Sequence, residues 1–393
     1  MFSEYFADLH IHIGAASSGN PVKITASRSL TFANILKESA ENKGLDIIGI
    51  IDCASPPVIA DIEKLLAEGL MEELTDGGIK YGNLTVILGA EIESRESNGG
   101  QSHYLAYFPF LRNIKDFSEI MSEYIKNITL SSQSTGLNAS QLLQIIDSTG
   151  GVCIPAHVFT PYKSFYGRSF SSYQEVFNTQ EWEMIPAIEL GLSADTYLAD
   201  YLPELRDKTF ISNSDAHSLP KIAREYNKIR LKELSFKELI LALKNSKGRK
   251  VLANYGLDPR LGKYHHSYCE DCQQGIDEKG FILKCPLCGG DKVIKGVKDR
   301  IMEISVKGVT DSPAFRPAYI HQIPLLDIPG IGPRTMEKLL IKFTTEMDIL
   351  HKVSFEDLRL VVGDKIASSI VRARSGAARI KTGGGGFYGK VMG

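Results

Sequence analysis

Seven short apolar runs mark the first half of the chain: around Phe6-Ala7, Ile47 to Ile51, Thr85 to Leu88, Tyr104 to Phe108, Val152 to Ile154, Ala187 to Leu190, and Thr209 to Ser212. Each has the length of a buried strand. Between several of them the apolar positions switch to a helical period, over Phe32 to Lys43, Asp61 to Leu74, Ser140 to Ser148 and Phe236 to Lys244. Strands alternating with helices predict an α/β fold with a mostly parallel sheet. In such folds the working side chains collect where strands end and loops begin.

The polar residues past those runs follow that rule. The first run enters Asp8-Leu9-His10-Ile11-His12, and in an extended chain Asp8, His10 and His12 would share one face. Asp52 follows the second run, and Glu91 follows the third within Gly89-Ala90-Glu91-Ile92-Glu93. His103 opens the fourth, the fifth ends in Pro155-Ala156-His157, and the seventh ends in Ser214-Asp215-Ala216-His217. Any one of these alone reads as a surface or capping residue. Their common placement predicts a cluster, and neutral imidazoles with carboxylates suit zinc, manganese or iron.

These motifs resemble the four motifs of the polymerase-and-histidinol-phosphatase (PHP) family. The resemblance implies a distorted seven-stranded β/α barrel holding two or three divalent ions, whether zinc, magnesium or manganese. Carried over position by position, it implies His10, His12, Glu91 and Asp215 around one ion, with Glu91 bridging to a second held by His103 and His157. A third site in that family uses a histidine of the second motif, which here reads Asp52-Cys53-Ala54-Ser55, and no histidine follows closely after His12. The expectation is two ions, with a weak third at Asp8, Asp52 and His217. Two metals sharing a carboxylate bring a water's pKa to near neutral and clamp the attacking and leaving oxygens of a phosphate ester. The expected catalytic residues are therefore Glu91, Asp215 and His217, with Asp215 either acting on the water or serving only as a ligand.

After His157 the chain interleaves Phe159, Tyr162, Phe165 and Tyr166 with Lys163 and Arg168. These rings either stack an extruded base, whose phosphate the cations hold, or pack a long loop onto the barrel. The Gly19 to Arg28 loop is a second candidate for lining this face.

Charge divides the chain. The net charge is -2, but residues 240 to 393 hold 25 Lys and Arg against 16 Asp and Glu, leaving 20 against 31 before them. A basic second half joined to an acidic first half points to a polyanionic partner, nucleic acid first. The basic run Lys247-Gly248-Arg249-Lys250 opens what reads as a linker to Gly262. Next come Cys269-x2-Cys272 and, twelve residues on, Cys285-x2-Cys288, a spacing that predicts one structural zinc. Cys53 and Cys153 lie in apolar stretches, as buried reduced thiols do.

Further on, Gly330-Ile331-Gly332-Pro333-Arg334-Thr335 leads into a helical run and resembles a helix-hairpin-helix motif. Outward backbone N–H groups at a helix N-terminus bind phosphate without reading a base. A weaker helical pair runs from Glu346 through Val362 to Arg372. Arg372, Arg374, Arg379, Lys381 and Lys390 follow without an acid, and Gly383 to Gly386 cannot form an ordered element alone.

The order of parts, with a PHP-type barrel over 1–245, a linker and four-cysteine module over 246–310, a helix-hairpin-helix domain over 311–382 and a flexible tail over 383–393, resembles the endonuclease Q family. That resemblance implies cleavage of DNA, double- or single-stranded, on the 5′ side of a deaminated base (uracil, hypoxanthine, xanthine) or an abasic site. Gly330, Ile331, Gly332, Arg334, Thr335, Arg372 and Arg374 would then contact the DNA. A sliding clamp is a further partner on which the sequence is silent. A phosphomonoesterase would share the barrel but leave the cysteine and hairpin modules without a use. A polymerase-associated exonuclease lacks its polymerase here, and a non-catalytic DNA-binding scaffold would have to have lost the metals. No G-x4-G-K-[ST] segment is present. No apolar run reaches the roughly 20 residues of a membrane helix. With the first strand starting near Met1, no signal peptide and a cytoplasmic, nucleoid-associated location are expected.

Overall fold

All seven apolar runs form strands: Ser3–Ile11, Ile47–Ile50, Leu84–Arg95, Gln101–Phe108, Val152–Pro155, Ala187–Glu189 and Thr209–Ile211. The structure, a computed structural model, describes residues 1–262, 264–276, 284–305, 312–376, 380–381, 383 and 387–391. The first strand pairs in parallel with the second, and the second with the third. The fourth runs antiparallel to both the third and the fifth, while the sixth and seventh pair in parallel with each other. Main-chain bonds close the ring: Val158 N–H donates to the Glu189 carbonyl (3.0 Å), and Ala216 N–H to the His10 carbonyl (3.2 Å). This is the distorted seven-stranded barrel that the resemblance implies. The mostly parallel arrangement expected from the alternating pattern holds around the barrel except at the fourth strand, which alone is reversed. Only the short turn from Glu96 to Gly100 separates the third and fourth strands, and so tight a connection can join only antiparallel neighbours.

One buried cluster takes Leu9, Ile47, Ile87, Leu105, Ile154, Ala187 and Ile211 from the seven strands, with Leu239 and Leu243 of the helix Phe236–Leu243. Each fully buried Leu or Ile contributes on the order of 1.5–3 kcal/mol. The barrel is thus a packed core, and the residues at its rim are held by a rigid support.

Three further strands extend the sheet from the outer edge of the first: Tyr226–Leu231, Lys250–Gly256 and Ala318–His321. The span read as a linker therefore contains a strand, whose buried Val251 and Ala253 follow directly on the basic run. The helix expected from Asp61 to Leu74 lies instead at Pro56–Ala67, because Pro56 and Pro57 preset its first turn. The helix starting at Phe32 widens into a π-turn over Glu38–Lys43 and ends on Gly44 at φ 74°. That turn carries Lys43 into a buried ion pair with Glu346 of the helical region (2.7 Å).

Tyr268–Cys269, Gln274–Gly275 and Val293–Ile294 form a small sheet around the cysteines. The helix Val297–Ile304 follows it, and Arg300 donates to the Tyr166 and Phe170 carbonyls of the barrel (2.9 and 3.0 Å). Helices Pro333–Phe343, Glu346–His351 and Phe355–Arg374 make up the helical region, the last broken at Gly363 (φ 78°). Of the tail expected to be flexible, Arg379, 384–386 and 392–393 lie outside the described residues. Its described part folds back: Lys390–Val391 pairs with Ile380–Lys381, and the Gly383 and Gly389 N–H groups bond to the Arg260 and Leu261 carbonyls. No helix among the described residues is long and apolar enough to cross a membrane.

Candidate active site

His10 sits where the pairing of the first and second strands shifts register, between Asp8 and Ile11, and His12 follows just past the strand's end. Such an irregularity re-aims side chains, and here it separates Asp8 from the two histidines. The buried Asp8 carboxylate accepts the Ser214 and Ala223 N–H groups (3.0 and 2.9 Å) and so braces the chain. His157 and Asp215 adopt positive φ (30° and 45°). Non-glycine residues in that region cost about 1–3 kcal/mol, and such strain gathers at functional sites.

Glu91 is the common member of the cluster. Its carboxylate lies 3.7 Å from His10 Nε2 and 3.8 Å from His12 Nε2 on one side. On the other it lies 2.9 Å from His103 Nδ1 and 3.3 Å from His157 Nε2. Asp215 Oδ1 stands 3.3 Å from His12 Nε2, 3.5 Å from His10 Nε2 and 3.5 Å from His217 Nδ1. Ligand atoms within 4.8 Å of one another thus form three overlapping sets: His10, His12 and Glu91; Glu91, His103 and His157; His12, Asp215 and His217.

Behind three of these histidines stands a carboxylate on the ring nitrogen that faces away from the centre. Glu189 holds His10 Nδ1 (2.9 Å), Asp52 holds His12 Nδ1 (3.1 Å), and Glu93 holds His103 Nε2 (3.3 Å). Such partners fix the tautomer and the ring plane of a metal-binding imidazole and raise its basicity. Asp52 also accepts the Ile13 N–H (2.6 Å) and the Ser131 hydroxyl. The expected third set of Asp8, Asp52 and His217 is therefore not brought together, because both aspartates are spent on the protein itself. Glu189 was not singled out in the sequence, although it is the one acid inside the sixth apolar run.

The field of the cluster suits cations. Burial alone would lower the pKa of His10, but the carboxylates of Glu189, Asp215 and Glu91 raise it to about 10. Burial would raise the pKa of Glu91, yet His103 and Lys23 hold it well below the usual range. For Asp215, His12 and His10 likewise outweigh burial and keep the carboxyl ionised. His10 Nε2 is buried, points to the centre and has no hydrogen-bond partner. A buried nitrogen without a partner, set among imidazoles and carboxylates, fits the ligand set of a divalent ion once its proton is displaced.

Three of the four rings of the aromatic segment turn into the core rather than toward a cavity. Phe159, Phe165 and Tyr166 are fully buried, and Phe165 packs against Tyr166, Phe170 and Phe177. Tyr162 is exposed, and Lys163 pairs with Glu93 (2.8 Å). Two cavities open onto the cluster: one of about 370 Å³ is lined by His12, Glu91, His157, Lys163, Asp215 and His217, and a second shares His157 and Asp215 with it. The second measures about 230 Å³, and its lining includes His157, Glu189, Ser193, Asn213, Asp215 and Arg224. Arg224 also lines a third cavity of about 510 Å³ with Lys221, Lys390, Pro324 and Asp327, which leads toward the hairpin.

Sγ separations of 3.7 Å for Cys269–Cys288 and Cys272–Cys285 match the edge of a tetrahedron with Zn–S bonds of about 2.3 Å. At the hairpin Gly330, Gly332 and Arg334 are exposed, Thr335 is half-buried and Ile331 is buried as the anchor. A side chain on Gly330 would meet Ile366, just past the break at Gly363, at 3.4 Å, so this turn sits close against the last helix. Arg372 is exposed, whereas Arg374, expected to face DNA, donates to the Val353 (2.8 Å) and Ile349 carbonyls and caps a neighbouring helix.

No family profile matches the chain. A protein of Bacillus subtilis (strain 168), named uncharacterized protein YqxK, is 47% identical over 391 residues, or 98% of each chain. The crystal structure of the lesion-specific endonuclease PfuEndoQ from Pyrococcus furiosus matches with a TM-score of 0.83 at 30% identity, over 99% of this chain and 95% of that one. Endonuclease Q in complex with a 27-mer duplex carrying an abasic lesion at its active site matches with a TM-score of 0.82 at 30% identity, over 99% and 96%. Matched at 30% identity over nearly the whole of both chains, this protein belongs to the endonuclease Q family.

Proposed function

We propose that the protein is a metal-dependent DNA endonuclease that hydrolyses the phosphodiester on the 5′ side of a damaged nucleotide, a deaminated base or an abasic site. The observation that carries this is the juxtaposition, at one mouth of the barrel, of the His10–Glu91–Asp215 cluster and a cavity that shares His157 and Asp215 with it. The cavity's volume of about 230 Å³ lies below the roughly 300–1,000 Å³ of sites for drug-sized ligands and suits a single extruded base. Extrusion costs least at a damaged or mispaired position.

His10, His12, Glu91, His103, His157 and Asp215 would hold two divalent ions, with His217 beside His12 and Asp215 as the remaining donor. Bound there, such ions acidify water and neutralise phosphate charge. Asp215 is part exposed and stands at the mouth, where its carboxylate can orient the attacking water. As the water oxygen bonds to phosphorus, one P–O ester bond breaks; the attacking water gives up a proton to solvent, and the leaving sugar oxygen takes one up. Glu189, Asp52 and Glu93 keep the imidazoles aimed throughout. The cationic cleft through Arg224 and Lys221 would carry the strand toward the Gly330–Gly332 hairpin, which grips backbone without sequence preference.

The test uses the full chain with Mn²⁺ or Mg²⁺, a labelled duplex carrying one deoxyuridine or abasic site, and a matched intact duplex. A single nick on the 5′ side of the lesion, absent from the intact duplex and from Asp215→Asn, is the expected result. Equal cutting of both duplexes, or release of phosphate from a small phosphomonoester without DNA binding, would overturn it.

A further inference from the structure

The loop from Ile13 to Leu30 crosses the barrel mouth and is fixed there by its main chain. Lys23 N–H bonds to the Ile13 carbonyl (2.8 Å), Val22 N–H to Gly14 (3.0 Å), Ser27 N–H to His217 (2.8 Å) and Ser131 N–H to Val22 (3.1 Å). At the tip Ile24 points outward, while the Lys23 side chain, only 14% exposed, turns inward. Its ammonium donates to Glu91 Oε2 (3.0 Å) and to the Ser132 hydroxyl.

Nothing in the loop's architecture needs this side chain, because main-chain bonds hold the tip in place. Glu91 has other donors in His103, His157 and the Ser132 hydroxyl. Ordering a lysine nonetheless costs up to about 2 kcal/mol of rotamer entropy. The ammonium also shares a cavity of about 370 Å³ with His12, Glu91, His157, Asp215 and His217, the space a phosphodiester must enter to reach those groups. A compact, permanently charged point donor beside a phosphate is one of lysine's established uses.

We propose that Lys23 belongs to the cleavage centre: its ammonium shares Glu91 with the metal ions and supplies a tethered cation to a non-bridging oxygen of the scissile phosphodiester. The second half of this rests on the phosphodiesterase function proposed above; the first half does not. Two consequences separate. Lys23 opposes metal binding at Glu91 by electrostatic repulsion, and it stabilises the charge that gathers on the phosphate as the ester bond breaks.

Full-length Lys23→Met and Lys23→Arg test both, with melting temperatures to establish folding. Mn²⁺ affinity is read without DNA from the spin-resonance signal of the free ion. Removing a fixed charge beside the shared carboxylate should tighten Mn²⁺ about tenfold in Lys23→Met and leave Lys23→Arg near wild type. Single-turnover cleavage of an abasic duplex at saturating Mn²⁺ should slow about a hundredfold in Lys23→Met, the size expected for loss of one donor to a developing oxyanion. Lys23→Arg should recover part of that rate, with DNA affinity unchanged in both. Equal or weaker Mn²⁺ binding by Lys23→Met, or a cleavage rate within about twofold of wild type, overturns the proposal. If the wild type cuts no duplex, the endonuclease function falls, while the Mn²⁺ comparison still decides whether Lys23 shares Glu91.

Discussion

Glu189→Gln keeps the shape of a buried side chain while removing its charge, and its outcome can be worked from the hydrogen bonds. Glu189 Oε1 accepts from His10 Nδ1 (2.9 Å) and Asn213 Nδ2 (2.8 Å), and Oε2 accepts from the His157 N–H (2.8 Å). Three donors need two acceptor oxygens, and a glutamine has one. With that oxygen on His10 and Asn213, the new amide N–H₂ faces the His157 N–H, and a buried donor left unpaired costs about 1–3 kcal/mol. Turned over, the amide would instead lose the His10 contact, which fixes the tautomer that points Nε2 at the metal centre. Loss of such a carboxylate partner weakens metal binding about 10–100-fold. Thermal unfolding without metal and Mn²⁺ binding by calorimetry read the two effects separately. The expected result is a lower melting temperature together with weaker Mn²⁺ binding. Wild-type Mn²⁺ affinity in a folded Glu189→Gln protein would show that His10 does not depend on this carboxylate.

Metal affinity should rise with pH. His10 is raised to about 10, and His12 and His103 are raised, because neighbouring carboxylates outweigh their burial. Near neutrality His10 therefore carries a proton that a metal must displace, His12 and His103 hold theirs more tightly than a free imidazole does, and affinity falls as acid returns them. Calorimetry at pH 7 in two buffers of different ionisation enthalpy should show proton release, and a pH-independent affinity between 6 and 8 would refute this. Phe165→Ala should cost about 3–5 kcal/mol, as emptying a packed core position does, whereas the exposed Tyr162→Ala should stay within about 0.5 kcal/mol. An unchanged melting temperature for Phe165→Ala with lost cleavage would return that ring to base stacking. Cys272→Ser should lower bound zinc by one equivalent, measured with a chromophoric chelator after denaturation, and zinc retained at the wild-type level would refute a four-thiolate site.

The barrel was legible because its seven strands coincide with short, mainly apolar runs and residues of the cluster follow or open those runs, as at Glu91, His103, His157 and Asp215. Direction was less legible, because a run of apolar residues has no sense, and only the shortness of the Glu96–Gly100 turn makes the fourth strand antiparallel. Lys250–Gly256 was hidden by the cations before it. The aromatic segment misled for a related reason: composition puts rings near His157 but does not say which way they face. Phe165 and Tyr166 face inward because the segment coils into a π-turn there, with the Tyr166 hydroxyl donating to Glu204 (2.6 Å).

The second motif shows how a residue can be placed correctly and still be given the wrong task. Asp52 does stand at the end of the second strand, beside the cluster, but ligand and support are distinguished by which nitrogen of His12 it meets. It meets Nδ1, and Nε2 is left for the centre. A carboxylate that also accepts the Ile13 N–H and the Ser131 hydroxyl has its lone pairs directed at the protein, so it cannot turn toward an ion without leaving buried donors unpaired. The absence of a histidine in Asp52-Cys53-Ala54-Ser55 therefore does not disable the Glu91 sites, whose donors all come from other strands. It leaves His217, with His12 and Asp215, as an outlying group on the solvent side of the cluster. Asp52 acts on the centre through His12, and the same relation links Glu189 to His10 and Glu93 to His103.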